Sequence, residues 1–189
     1  MITGLTEIIA HIGYPTHTFK SPMIYNPYFE GAGIPAVVVP MACQAPHLDR
    51  FLPAVFSLDN VRGALITMPH KVAVVDLLDE VSATVRMAGS CNAVKKTADG
   101  RLVGDMFDGM GFVRGLARKG FDFKGRSALV IGAGGVGSAI AASLAQTGLA
   151  ALDVFDVQDA MARALADRLR EHVPGLLVRT GHNDPTSHD

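Results

Sequence analysis

One glycine-rich run and a few ionisable side chains mark where this sequence could do chemistry. Gly132-Ala133-Gly134-Gly135-Val136-Gly137 fits G-x-G-x-x-G. It directly follows the apolar run Ser127–Ile131 and opens the small-residue segment Ser138–Gln146. After a strand and before a helix, that pattern reads as a dinucleotide cradle. Gly132 permits the tight turn, Gly134 lets the backbone approach a pyrophosphate, and Gly137 lets the helix close on its strand. The helix start adds N–H donors and positive potential. Asp156 ends the next strand, near the spacing of roughly 20 residues at which such turns place a ribose-binding carboxylate. A carboxylate there accepts bonds from the ribose hydroxyls of NAD and repels the 2′-phosphate of NADP. No Arg or Lys lies between Val157 and Met161 to offset the repulsion. NAD is therefore expected ahead of NADP.

The second candidate is Lys71, in Thr67-Met68-Pro69-His70-Lys71. Pro69 suits a first helical position. Val72, Val75, Leu78 and Val81 form an i/i+3 stripe, so the pattern predicts a helix over 72–81. A cation in a first helical turn opposes the macrodipole, which primes Lys71 for proton exchange. Alcohol–ketone interconversion needs such a group, because the hydroxyl proton must leave when hydride leaves the carbinol carbon. Asp108 precedes the next helical segment and is expected to cap it. His70 could serve as an auxiliary acid, although its position in a first turn favours simple exposure.

These residues need a scaffold. Ile8–Ile12, Ala36–Val39 and Ala64–Thr67 read as buried strands, alternating with helices, one of which Ser21 and Pro22 open. Cys91–Lys96 and Arg101–Val103 flank the turn Ala98-Asp99-Gly100, a hairpin signal. A second start follows Gly120: strands at 127–131, 152–157 and 176–179 enclose helices at 138–146 and 160–172, the latter capped by Asp159. The expected fold is α/β: a mostly parallel substrate-binding catalytic domain over 1–104, a connecting helix within 105–120, and an incomplete Rossmann, doubly wound NAD(P)-binding domain over 121–189.

Composition narrows the function class. The chain has 189 residues, 49% hydrophobic and 19% charged, so it can bury a sizeable core. A net charge of −1 gives no pull toward nucleic acid or anionic membrane. No apolar run approaches the ~20 residues of a membrane span, and the N-terminus lacks a signal-peptide pattern. A soluble, cytoplasmic protein is expected. No metal site is expected either: Cys43 and Cys91 stand apart as two reduced thiols, and His182 and His188 sit in a polar tail.

The order of motifs adds a resemblance. Gly13-Tyr14-Pro15, Ser21-Pro22 through Asn26, Thr67-x-Pro69-x-Lys71, Gly89-Ser90-Cys91-Asn92, Asp108-Gly109-x-Gly111-Phe112 and the glycine turn occur in one order along the chain. In that order the sequence resembles the shikimate/quinate dehydrogenase family over nearly its whole length. The resemblance implies an NAD(P)-dependent alcohol dehydrogenase of the shikimate pathway of aromatic amino acid biosynthesis. Its substrate would be a small-molecule cyclic hydroxy acid, and a homodimer is allowed. By the same resemblance Lys71 and Asp108 form the proton-handling dyad, Thr67 and Asn92 bind substrate hydroxyls, and Ser21 helps hold the substrate carboxylate.

Departures gather in the substrate pocket. Phe19 replaces the first serine of the family's Ser-x-Ser-Pro, Leu65 replaces the Asn of Asn-Val-Thr, and Met106 replaces the Asn of Asn-Thr-Asp-Gly. Unpaired substrate hydroxyls would each cost on the order of 1–3 kcal/mol, which points to a less hydroxylated acid. Lys20 or Thr18 could compensate. Only one mononucleotide half is legible, and the family's returning C-terminal helices are not, so the chain reads as truncated. Two rivals remain: a dinucleotide-binding or regulatory remnant without turnover, and another two-domain enzyme such as methylenetetrahydrofolate dehydrogenase.

Overall fold

The structure is a computed structural model and describes residues 2–181, 183 and 184; His182 and His188 lie outside the described residues. The chain forms two compact units. One runs from the N-terminal residues to Val81 and adds Asn92–Gly104; the other combines Ser82–Cys91 with the chain from Asp105 onward.

In the first unit the strands are β1 (Glu7–Gly13), β2 (Ala36–Ala42), β3 (Val61–Ile66), β4 (Glu80–Val81), β5 (Ala93–Lys96) and β6 (Leu102–Asp105). They form one sheet in the order β2-β1-β3-β5-β6-β4. β1 pairs in parallel with β2 and β3, whereas β5 runs antiparallel to β3. Helices α1 (Ser21–Gly31) and α2 (Leu48–Phe56) follow β1 and β2. Central β1 buries Ala10 and Ile12 completely. α2 presents Leu48, Leu52, Val55 and Phe56, an i, i+4, i+7, i+8 stripe, to the core. Each such residue, once fully buried, contributes roughly 1.5–3 kcal/mol. β2 is an edge strand, and the Asn26 amide occupies part of that edge. Its Nδ2 donates to the Val38 carbonyl at 3.1 Å, and its Oδ1 accepts from the Val38 N–H at 2.7 Å.

Two local expectations change in this unit. Ser21 is the first helical residue and Lys20 the cap, with no side-chain capping bond. Over 72–81 the chain makes only a short 3-10 turn, Ala73–Leu77, before entering β4. The buried valine there is Val74, while Val72 is 51% exposed. The helix is cut short because Asp79 pairs with the sheet: its N–H donates to the Leu102 carbonyl and its carboxylate accepts from the Leu102 N–H. The hairpin between β5 and β6 forms as predicted, with Gly100 at φ 87 in its turn.

The second unit contains α3 (Ala83–Ala88), α4 (Asp108–Ala117) and then β7 (Ser127–Ile131), α5 (Gly135–Leu144), β8 (Ala151–Phe155), α6 (Asp159–His172) and β9 (Leu177–Thr180). β7, β8 and β9 pair in parallel in that order. Their core is built from Val130, Ala141, Ala142, Leu152, Val154, Leu165 and Leu169. Gly109 is required by close packing: a Cβ there would run into the Ala139 carbonyl and the Ser143 hydroxyl of α5. Phe107 caps α4, so Asp108 opens the first turn rather than capping it. Asp159 likewise stands inside the first turn of α6, after Gln158. Among the described residues no helix is long and apolar enough to cross a membrane.

Candidate functional site

The glycine turn joins β7 to α5, and its three spaced glycines sit in three different physical settings. Gly132 sits at φ +101, a conformation open mainly to glycine. A Cβ on Gly137 would collide with the Gly132 carbonyl. Gly134, the cap of α5, has φ −73, and a Cβ there would meet nothing within 4 Å. Neither backbone strain nor packing within the chain demands a glycine at 134. The space that a Cβ would take is open. The N–H groups of Gly135, Val136 and Gly137 belong to the first helical turn, where intrahelical acceptors are lacking.

Asp156 closes this turn from the end of β8. Its Oδ2 accepts from the Ala133 N–H at 2.7 Å, and its Oδ1 accepts from the Gln158 N–H at 2.8 Å. These two bonds, the Ala133 one foremost, hold its carboxyl below the ordinary aspartate range. The group is therefore anionic at neutral pH. A carboxylate offers about four acceptor sites, so bracing the turn leaves capacity for ribose hydroxyls. Ser138 Oγ donates to the Ala133 carbonyl at 2.9 Å, and the Gly132 N–H to Phe155 at 2.7 Å.

In the first unit the candidate residues gather at the carboxyl ends of β1 and β3, where open α/β sheets place ligands. Thr67 leaves β3 with its N–H on the Ile12 carbonyl at 2.9 Å, and its own carbonyl accepts from His70 N–H. Asn92, half-buried before β5, receives the Ile66 N–H on its carbonyl at 2.8 Å. Half-buried Lys71 follows His70. The turn that carries Lys71 has no α-helix behind it, so the macrodipole argument for its reactivity does not apply. Ser21, half-buried, opens α1 two residues after Phe19. Asp108 belongs to the other unit, in the first turn of α4.

One histidine here departs from the sequence reading, and a second was not singled out by it. His70 is only 1% exposed, and its Nε2–H donates to the Cys43 carbonyl at 2.7 Å. It pins the Thr67–Lys71 loop to the end of β2 instead of facing solvent. His11, in β1, is 5% exposed and stacks on Phe19 with ring centroids 4.0 Å apart. Its Nδ1 is buried and without a hydrogen-bond partner. Burial first, and then the Lys71 charge, push its pKa down. Phe19 thus has a packing partner that sequence reasoning missed. The available signal was a histidine at a strand position flanked by Ala10 and Ile12. Among the described residues, no three His, Cys, Asp or Glu side chains gather as a metal site.

Comparison with known proteins places this geometry. The family model described as shikimate dehydrogenase substrate binding domain matches residues 11–94. A shikimate dehydrogenase (NADP(+)) of Rhodospirillum rubrum is 34% identical over 176 residues, which cover 92% of this chain and 62% of that protein. The chain thus spans about three fifths of the length of the curated relatives it matches. Among solved structures, the shikimate 5-dehydrogenase of Listeria monocytogenes in complex with shikimate and NAD aligns with TM-score 0.86 and 28% identity, covering 95% of this chain and 62% of that one. Quinate dehydrogenase from Corynebacterium glutamicum in complex with NAD aligns with TM-score 0.80 and 30% identity, covering 93% and 64%.

Proposed function

We propose that this chain, similar over most of its length to shikimate and quinate dehydrogenases, is a member of that family and serves hydride transfer between NAD(P) and a cyclic hydroxy acid of the shikimate or quinate class. The observation that carries this reading is Gly134, a glycine that neither the backbone nor the packing of the chain requires. When bound, the nicotinamide accepts or supplies the hydride. The protein's part is positional and protonic. Lys71 takes the hydroxyl proton as the carbinol is oxidised and returns it in reduction, and the family resemblance gives Asp108 a part in the same proton transfer. Thr67 and Asn92 hold substrate hydroxyls, and Ser21 helps hold the carboxylate. Incubation with shikimate, quinate and less hydroxylated analogues, following nicotinamide absorbance, tests the reading. Absence of turnover with every acid would overturn it.

Within that reading NAD is the preferred dinucleotide, because the anionic Asp156 meets no cation between Val157 and Met161. The Rhodospirillum rubrum relative carries NADP(+) in its name, which makes the comparison informative. Titration should give tighter binding of NAD than of NADP. Asp156→Ala should weaken NAD binding by removing acceptors for both the ribose and the Ala133 N–H. It should narrow the gap, since NADP is relieved of repulsion. Equal binding of the two by the unaltered chain would sink the preference.

A second reading keeps the dinucleotide but not the turnover, and the Phe19 ring packed over His11 favours it. Dinucleotide binding without oxidation of any acid would select it. Two further parts of the proposal are a cytoplasmic setting, in keeping with two buried free cysteines, and a homodimer. Met23, Ile24 and Tyr28 of α1 are each more than 60% exposed, a face that a second copy would cover.

A further inference from the structure

Ser90 has no part in the site as described so far, yet it touches the glycine turn. Its residue is completely buried, and its Oγ donates to the Gly135 carbonyl at 2.9 Å. The chain is brought there by the end of α3. Gly89 adopts φ +65 and returns its N–H to the Val85 carbonyl at 2.7 Å, which turns Ser90 inward. Arg168, from α6, then locks that end. Its Nε and Nη2 donate to the Met87 and Ala88 carbonyls at 3.1 and 3.2 Å. A Cβ on Gly89 would stand 3.0 Å from the guanidinium, which would have to shift, and the φ of +65 itself favours glycine. The segment 87–90 is therefore a strap, tied at one end to α6 and at the other to the first residue of α5.

The bond from Ser90 has a directional consequence. A trans peptide points its C=O and N–H in opposite directions. Holding the Gly135 carbonyl from the protein side fixes the Val136 N–H toward the opposite side, where Val136 is 46% exposed. The Ala133 N–H is already committed to Asp156. The donors left for an anion are those of the first turn of α5, and Ser90 steadies one of their peptides. We propose that Ser90 is a positioning residue of the dinucleotide loop, aiming the Val136 N–H at the pyrophosphate. The inference rests on the dinucleotide reading of that loop.

The test uses the full chain and three probes: NAD, ADP and adenosine. Ser90→Ala should weaken NAD and ADP by about 3–10-fold, the range for one lost hydrogen bond. Adenosine, which has no phosphate, should bind as before in competition with NAD. Ser90→Cys, which keeps the volume but has a weaker donor, should fall between Ala and Ser, and it guards against a packing defect in the alanine variant. Unchanged ADP binding in Ser90→Ala overturns the inference and leaves the dinucleotide reading intact. Equal losses for ADP and adenosine reduce Ser90 to a fold-stabilising residue and overturn it as well. An unaltered chain that binds neither NAD nor ADP removes the dinucleotide reading, and this inference with it.

Discussion

The two units assemble their candidate chemistry in different ways. In the second unit, six consecutive residues and one carboxylate form the cradle, and each spaced glycine has a setting of its own. In the first unit, the residues of interest come from β1, the stretch before α1, the loop after β3 and the start of β5. Backbone hydrogen bonds between those stretches, the His70 bond to the Cys43 carbonyl and the stacking of Phe19 on His11 bring them to one sheet end. A local cradle tolerates little change within its six residues. A site assembled from distant stretches can exchange individual side chains, as Phe19 illustrates, while its backbone frame persists. The second unit should therefore behave as a fixed binding element and the first as the place where specificity varies.

The largest effect should come from the first unit. Lys71→Ala is expected to lower kcat by roughly 10²–10⁴, the range for lost acid–base catalysis. Dinucleotide affinity should stay unchanged, because the cradle lies in the other unit. Near-normal turnover would take Lys71 out of the mechanism and blur the division of labour between the units.

Within the cradle, two alanine substitutions should separate folding from binding. Gly137→Ala forces a Cβ onto the Gly132 carbonyl, and overpacking of this kind typically costs about 1–3 kcal/mol. Its Tm should fall. Gly134→Ala places its Cβ in open space at an ordinary φ. Its Tm should hold while NAD binds roughly tenfold more weakly, equivalent to about 1.4 kcal/mol. If Gly134→Ala binds NAD normally, the cradle is a structural turn only.

A smaller change tests specificity in the first unit. Phe19→Ser with Leu65→Asn restores two hydrogen-bonding side chains. The ratio of kcat/KM for shikimate to that for less hydroxylated cyclic acids should rise about tenfold, as expected for one or two regained bonds. If shikimate is already the best substrate of the unaltered chain, Thr18, Lys20 or His11 supplies the missing contacts.

The smallest effect concerns pH. His11 is held neutral in the fold by burial and by the charge of Lys71. The unfolded chain binds a proton near the ordinary histidine value of about 6.5, before the folded one does. Stability is thus complete above that value and declines as pH falls through it toward the lower folded value. His11→Phe should show a shallower decline in Tm between neutral and mildly acid pH. Identical slopes would mean that other groups govern the acid response.

The sequence by itself determined the parts whose physics is local. The strands around Ile8–Ile12 and Ser127–Ile131, the hairpin at Gly100, the glycine turn and the placement of Asp156 all follow from short-range pattern and turn chemistry. The order of motifs also carried the resemblance to the shikimate/quinate dehydrogenases, which the comparisons share. What only the tertiary structure decided depends on partners far along the chain. The stripe Val72-Val75-Leu78-Val81 has helical spacing, but pairing of Asp79 with Leu102 draws that stretch into the sheet. His70 has the polarity of an exposed residue, yet a carbonyl 27 residues away makes its burial affordable. Ser90 lies 45 residues from the carbonyl it holds. Periodicity and propensity record what a segment prefers alone. A buried polar group is settled by whichever distant backbone atom the fold brings within hydrogen-bonding distance, and no local pattern encodes that distance.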